Sequence, residues 1–381
     1  MLQIQTNNKG PVLLTRNAED IILSCPDSTR IETAIQYGNM SFSTTLIPSE
    51  GLLRLRLEEM LKSLGCQVVF SDLSGIDGKQ MDVPTVSISF TDPDSEESVT
   101  WESPVIEGGV DSPNPETILL SQWLTWRPQI CKIQDNANVY LYCMVPTQYQ
   151  EIKVTSVNVY IDVYTISSGL IRSIPYMTVG ADDHPSILAI NASYSQILKN
   201  VAISKLSDDG IVAFDVYATF RGEYLGARLE KEATAKQRFI LQRRSSDSVE
   251  FLFRNSFGLF DDIRSSGRVA RKLSGKVTSF ISSSKEFIQN NAADYTYEVD
   301  TGYIDTDRQL AQWEDFLKSS EHYITLLDGG IRKIIIEDPD TDSTRHQLGT
   351  VTFSFRMADK WKGRLFSNTE LDYFDYDTAE L

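Results

Sequence analysis

The sequence predicts a mainly β protein with minor α, built as tandem β-sandwich-like domains and ending in an α+β part with one short amphipathic helix. Three observations carry this expectation. Ile152–Ile166 alternates, with Val157, Val159, Ile161 and Val163 on one face and Asn158, Tyr160, Asp162 and Tyr164 on the other. That is the period of a strand with one buried face. Turn pairs recur between such runs, at Ser168-Gly169, Asp209-Gly210 and Arg221-Gly222, at the spacing of a sandwich. Clear helical spacing, by contrast, is confined to short segments.

Residues 1–105 form the first expected domain. Strands are expected at Leu2–Gln5, Asp20–Ser24, Ile31–Tyr37 and Ser41–Leu46, followed by a turn at Ile47-Pro-Ser-Glu-Gly51. Leu53, Leu55 and Leu57 alternate with Arg54 and Arg56 as in a strand. Leu57, Met60, Leu61 and Leu64 then take helical spacing, which Gly65 ends. A strand at Gln67–Phe70 and a hairpin of Pro84–Phe90 with Ser98–Trp101 around the polar DPDSEE turn complete the domain.

Pro104, Pro113, Pro115, Gly108 and Gly109 mark residues 103–116 as a linker. The central domain, 106–250, has strands at Asn138–Met144, Ile152–Ile166, Ile211–Phe220 and Arg238–Gln242. Ile187, Ile190, Tyr194, Ile197 and Leu198 share a helical face, so a short helix is expected within His184–Lys199. In the last domain, 251–381, Ser265–Gln289 is rich in Ser and Lys and Tyr295–Val299 reads as a strand. Thr306-Asp-Arg-Gln309 has the form of a capping box, opening a helix with Leu310, Trp313, Phe316 and Leu317 on one stripe. Strands at His322–Leu327, Lys333–Glu337 and Gly349–Met357 would cover that stripe.

Charge narrows the function. The net charge of −17 over 381 residues opposes nonspecific nucleic-acid binding, which draws on Lys and Arg to release counterions. Residues 221–276 are the exception, with 13 Lys/Arg against 7 acids, leaving −23 for the rest of the chain. Solvated faces explain this plainly. The sharper reading is a basic surface that docks on an acidic neighbour, such as another copy of the chain. The N-terminal MLQIQTNNKGP has neither the basic nor the apolar part of a secretory signal, and no apolar run reaches the ~20 residues that span a bilayer. The expected place of synthesis is therefore the cytoplasm, without membrane insertion.

Sites for chemistry are scarce. Cys25, Cys66, Cys131 and Cys143 lack CxxC spacing, so free thiols rather than a zinc site are expected. His184, His322 and His346 are far apart in sequence, and no GxSxG, HExxH or GxxxxGK[ST] run occurs. The adjacent acids Asp182-Asp183, Asp208-Asp209, Asp261-Asp262 and Glu314-Asp315 read as solvated turn residues rather than a hydrolytic pair. The loops Asp92–Glu97 and Asp338–Asp342 offer oxygen ligands but lack EF-hand spacing, so both are taken as hairpin turns. No catalytic residue, metal ligand or cofactor is assigned. Trp123, Trp126 and Tyr149 have the chemistry of a sugar-stacking platform, although Trp123-Leu-Thr-Trp126 beside Pro128 reads more simply as an anchor in the core.

Phe251–Gly258, FLFRNSFG, is a strand running into a turn made by Asn255 and Gly258, with Phe257 and Phe260 around the corner. This block, the Ser41–Leu64 unit of strand, IPSEG turn, strand and helix, and the Tyr295–Trp361 ending with Thr301-Gly302 and Leu317-Lys-Ser-Ser320 together resemble virion proteins. The resemblance is to the tail, neck or baseplate class encoded by phages and prophages of gut anaerobic bacteria. Two departures are Ser49 where those proteins usually have Asp, and Leu259-Phe260-Asp261-Asp262 in place of a Pro-Glu-Thr-Phe-like continuation.

The resemblance implies a structural role without a reaction, in a virion, through a homo-oligomeric ring and contacts with other virion proteins. Arg243, Arg244, Arg254 and Phe257 are the expected assembly residues, since buried Arg and aromatic side chains anchor interfaces. The competing expectation is a carbohydrate-binding or receptor-binding β-sandwich that uses Trp123 and Trp126 on a glycan.

Overall fold

The computed structural model describes residues 2–6, 8, 12–65, 73, 75–112, 114–135, 137–165, 169–203, 210–242, 248–282, 285–304, 306–326, 330–342 and 349–358. The chain is mainly β, with five sheets and four α-helices among the described residues. It divides into two compact units. The first holds Met1–Thr125, Gln129–Gln242 and Asn255–Leu259; the second holds Trp126–Pro128, Arg243–Arg254 and Phe260–Leu381.

In the first unit, one core lies between a three-stranded sheet and a five-stranded sheet. Gln3–Gln5, Ile21–Ser24 and Leu52–Leu55 form the smaller. The larger runs in the order Leu13–Leu14, Ser98–Ile106, Thr85–Thr91, Ile31–Tyr37 and Met40–Leu46. Ile21, Leu23 and Leu53 meet Ile31, Val86, Ile88, Phe90 and Trp101, and Leu57 and Leu61 of helix Leu57–Leu64 close the side. Gly65 ends that helix in the left-handed conformation, φ 61°, as the sequence predicts.

A second core in the same unit lies between a seven-stranded sheet and a three-stranded one. Ile152–Thr165 pairs on opposite edges with Gly169–Gly180 and Ile211–Tyr224, while Tyr140–Val145, Ser186–Asn191 and Gly78–Asp82 form the smaller sheet. Val157, Val159, Ile161 and Val163 point into this core beside Phe214 and Phe239. The predicted sandwich is therefore present, and it takes one strand, Gly78–Asp82, from the stretch assigned to the first domain.

The second unit is α+β, with a seven-stranded sheet backed by helix Asp307–Lys318. Thr306 caps the helix, its hydroxyl accepting from Gln309 N at 3.1 Å. Trp313 and Phe316 are fully buried, and Leu310 and Leu317 pack at the rim of the same core. Phe251 meets Phe316, Phe353 and Phe355 at ring separations of 5.4, 5.6 and 5.8 Å.

Several expectations are corrected. Ser186–Asn191 is a strand and the helix begins only at Tyr194, running to Ile203. All six strand residues are buried, so the pattern lacks the polar face that would distinguish strand from helix. The expected linker is strand as far as Ile106, and Pro115 opens helix Pro115–Ser121 at its first turn, where a missing N–H costs nothing. Asp338–Asp342 is no hairpin turn. It lies within strand Ile331–Asp342, where a register shift between Glu337 and Asp340 forms a bulge that accommodates Pro339. The domain boundary expected at 250/251 falls inside strand Val249–Arg254, whose partners Phe260–Ser265 and His322–Thr325 belong to the second unit. The strand expected at Gln67–Phe70 and the acidic-aromatic tail lie outside the described residues.

Candidate functional site

FLFRNSFG comprises most of strand Val249–Arg254 and four residues of a five-residue loop, with pairing resuming at Phe260 opposite Arg254. Asn255 organises the loop. Its Oδ1 accepts from Phe257 N (3.0 Å) and Leu259 N (3.1 Å), and its Nδ2 donates to Leu124 O (2.9 Å). Ser256 O accepts from Gly109 N at 2.7 Å. Gly258 has φ 74°, and a Cβ there would lie 1.8 Å from Glu107 O. A Cβ on Gly108 would lie 2.3 Å from Ser256 O. Two glycines thus let two backbones meet directly.

The expected assembly residues separate. Arg243 and Arg244 lie outside the described residues. Arg254 is largely buried, with Nε 3.1 Å from Glu321 Oε2 and its guanidinium 4.7 Å above the Phe260 ring. Phe257 is wholly buried. In this chain Phe257 fills the corner and leaves no surface for a partner, because its loop is fastened on both sides by the hydrogen bonds of Asn255 and Ser256.

The basic excess of residues 221–276 is largely spent on cross-strand pairs. Arg238 grips Asp215 at 2.7 and 2.8 Å, lies 4.6 Å over the Tyr164 ring and donates to its hydroxyl. Lys236 reaches Asp162 at 2.5 Å and lies 4.6 Å over Tyr217, which stacks on Tyr160 at 5.4 Å. Glu230 accepts from Thr219 (2.6 Å), Tyr160 (3.0 Å) and Arg221 (3.3 Å). The hydrogen bond from Thr219 leads those that hold its carboxyl below the ordinary carboxylate range. Arg264 pairs with Glu250 and Lys272 with Glu298. The outer face of the first unit's seven-stranded sheet, with Tyr160, Tyr164, Tyr217, Lys236 and Arg238, is an ordered tyrosine–ion ladder.

Asp261-Asp262 is also corrected: these are not solvated turn acids. Arg127 is buried between them, with Nη2 2.6 Å from Asp261 and 2.5 Å from Asp262. Asp262 O accepts from Gln312 Nε2 at 3.0 Å. Burial pushes the neighbouring Glu250 carboxyl up to about 7; Asp262 adds to the rise, and Arg264 and Arg127 oppose it. Carboxylates committed to a buried guanidinium are poorly placed to act as acid and base.

The remaining candidates are structural. Trp123 is buried and donates from Nε1 to Ala235 O at 2.9 Å, the expected core anchor. Tyr149 packs on Phe220 at 5.0 Å. Asp92 accepts from Ser28 (2.7 Å), Asp94 N (2.9 Å) and Ser95 (2.9 Å), which hold its carboxyl below the usual range, with Ser28 the largest influence. Cys25, Cys131 and Cys143 form no disulfide among the described residues, and burial pushes the Cys143 thiol up to about 12. His322 Nε2 lies 2.6 Å from Phe316 O, and burial lowers its basicity. No cluster of three metal-ligating side chains occurs among the described residues, and no helix there is long and apolar enough to cross a membrane.

One feature was legible only at its end, the strand expected at Tyr295–Val299. Val269–Ser282 and Lys285–Asp300 form one antiparallel ribbon. Only Tyr297–Asp300 of it pairs with the next strand, Thr350–Met357. From Lys272↔Thr296 to Ser282↔Lys285 the ribbon continues for eleven further register pairs with no third strand among the described residues. At about 3.3 Å per residue this is a length of roughly 35 Å.

No protein-family model matches the chain, and no curated protein matches it significantly.

Proposed function

We propose that this chain is a structural subunit that works by oligomerising and docking to other proteins, in the manner of a phage-type tail, neck or baseplate component within a virion. The ribbon Val269–Asp300 carries this reading. A two-stranded ribbon is marginal by itself in water, and from Lys272↔Thr296 to Ser282↔Lys285 no described strand pairs with either edge, which leaves N–H and C=O groups open to a partner. A chain that retains roughly 35 Å of such structure has a use for it when a neighbour adds strands or a covering surface. The resemblance of Ser41–Leu64, Phe251–Gly258 and Tyr295–Trp361 to virion proteins supports the same reading and suggests the kind of particle.

The chemistry elsewhere in the chain agrees with a geometric role. The acidic pair Asp261-Asp262 is engaged by Arg127, and Trp123 faces the core rather than a glycan. The functional surfaces in this reading are backbone edges, with buried charge holding the units that present them.

The test is to replace residues 274–294 by an Asn-Gly turn, closing the ribbon at Leu273 opposite Tyr295. Light scattering on the shortened and full chains should give a smaller assembly for the shortened one, with unchanged circular dichroism per folded residue. Equal copy numbers for the two would remove the ribbon from the account.

A further inference from the structure

Met40–Leu46 is the outermost strand of its five-stranded sheet, and six of its seven residues are exposed. Met40 is 44% exposed and Phe42 48%, although they alternate onto the core-facing side. Their opposite numbers on the neighbouring strand are Tyr37 and Ile35, and Ile35 is buried. The sheet therefore overhangs its own core at Met40 and Phe42, whereas Leu46 at the end of the strand packs against it.

Natural edges are guarded by charge, proline, bulges or shortness. Met40–Leu46 reads MSFSTTL, with no charged residue and no proline, and its register with Ile31–Tyr37 is unbroken over seven pairs. Elsewhere in the unit the same problem is handled differently. The opposite edge of this sheet, Leu13–Leu14, is two residues long. Ala227–Glu232 is exposed throughout but carries Arg228, Glu230, Lys231 and Glu232. Among the described residues no strand pairs with the outer side of Met40–Leu46.

We infer that Met40–Leu46 is an edge-pairing site for the same strand of a second copy, joined antiparallel about Ser43 into one continuous ten-stranded sheet. The sequence favours this occupant. An antiparallel pair centred on Ser43 sets Met40 opposite Leu46, Ser41 opposite Thr45 and Phe42 opposite Thr44. Apolar meets apolar and hydroxyl meets hydroxyl at the outer positions, and each residue stays on its own face because the offsets are even. Such a contact is isologous and closes after two copies. Charge at the contact permits it: like charges opposite one another destabilise a strand pair, and although two chains of −17 repel, this strand brings no charge to the junction. The overhanging Met40 and Phe42 rows of both copies would become neighbours on the core side.

The inference rests on the reading of the chain as an assembling subunit, and two variants separate the two. Sedimentation velocity of the full chain over a hundredfold concentration range gives its association. Phe42→Lys places a guard charge on a half-exposed position, so folding should persist by circular dichroism while dimerisation weakens at least tenfold. Ser43→Cys sets a thiol opposite its own copy. Facing residues lie about 4.5–5.5 Å apart between Cα atoms, within the roughly 4.4–6.8 Å span of a disulfide. Mild oxidation should yield a covalent dimer that the unmodified chain does not form. If the full chain associates while Phe42→Lys changes nothing and Ser43→Cys stays uncrosslinked, this edge is not the contact and the assembling reading survives. If the full chain remains a monomer throughout, the assembling reading fails as well. A stable complex of this edge with a different protein's strand would overturn the choice of partner.

Discussion

The carbonyl oxygen of Glu107 occupies the place where Gly258 would carry a side chain: a Cβ there would lie 1.8 Å away. Gly258 also has φ 74°, a conformation that costs an L-residue about 1–2 kcal/mol. The Gly258→Ala variant combines this strain with a backbone collision that only a shift of the loop relieves. Its unfolding free energy should fall by roughly 3 kcal/mol or more, measured by urea denaturation. A loss under about 1 kcal/mol would mean that the loop yields easily.

Asn255 should matter comparably for a different reason. Asn255→Ala removes the acceptor for Phe257 N and Leu259 N and the donor to Leu124 O. All three groups are in buried surroundings, and each orphaned polar group costs about 1–3 kcal/mol. A total loss of about 2–4 kcal/mol is expected. Hydrogen exchange at Phe257 and Leu259 should accelerate even when measured far below the unfolding midpoint.

Arg127→Ala leaves Asp261 and Asp262 without the guanidinium that both share. Removing one partner of a buried ion pair typically costs about 3–5 kcal/mol. Urea denaturation of variant and parent at one pH measures the loss, and a fall of under about 1 kcal/mol would mean that this pairing does not hold the corner.

Glu250 supplies a pH dependence of known sign. Its folded-state carboxyl sits near 7, above the unfolded value of about 4.3. Between those values the folded state holds a proton that the unfolded chain releases, so this group's contribution to stability falls as pH rises through that window. Glu250→Gln removes that slope. Its stability should exceed the parent's increasingly from about pH 5 to pH 7, then keep a constant gap. Parallel pH profiles for variant and parent would remove Glu250 as the cause.

Local pattern made much of the fold legible. Ile152–Thr165 was announced by its alternation, Leu57–Leu64 by four leucine and methionine positions ended at Gly65, and Asp307–Lys318 by Thr306 and its apolar stripe. Asn255 and Gly258 were readable as turn formers. What remained hidden depends on residues distant in sequence. The partner of Asp261 and Asp262 is Arg127, more than 130 residues earlier, and nothing in an Asp-Asp dipeptide indicates burial. Ile130–Gln134 is held by a parallel pairing with Gln237–Gln242 that no local signal encodes. The basic excess of residues 221–276 looked like a surface because the acids that neutralise it, Asp162, Asp215, Glu298 and Glu321, lie outside that window.

The central claim, that the chain works by assembling, is tested most directly by the mass of the full-length protein in solution as its concentration is raised. The account predicts a discrete species heavier than the 43.0 kDa chain, its formation concentration-dependent and impaired by shortening the Val269–Asp300 ribbon. A single 43.0 kDa species of the full chain at every concentration, with the shortened chain likewise a monomer, would contradict it.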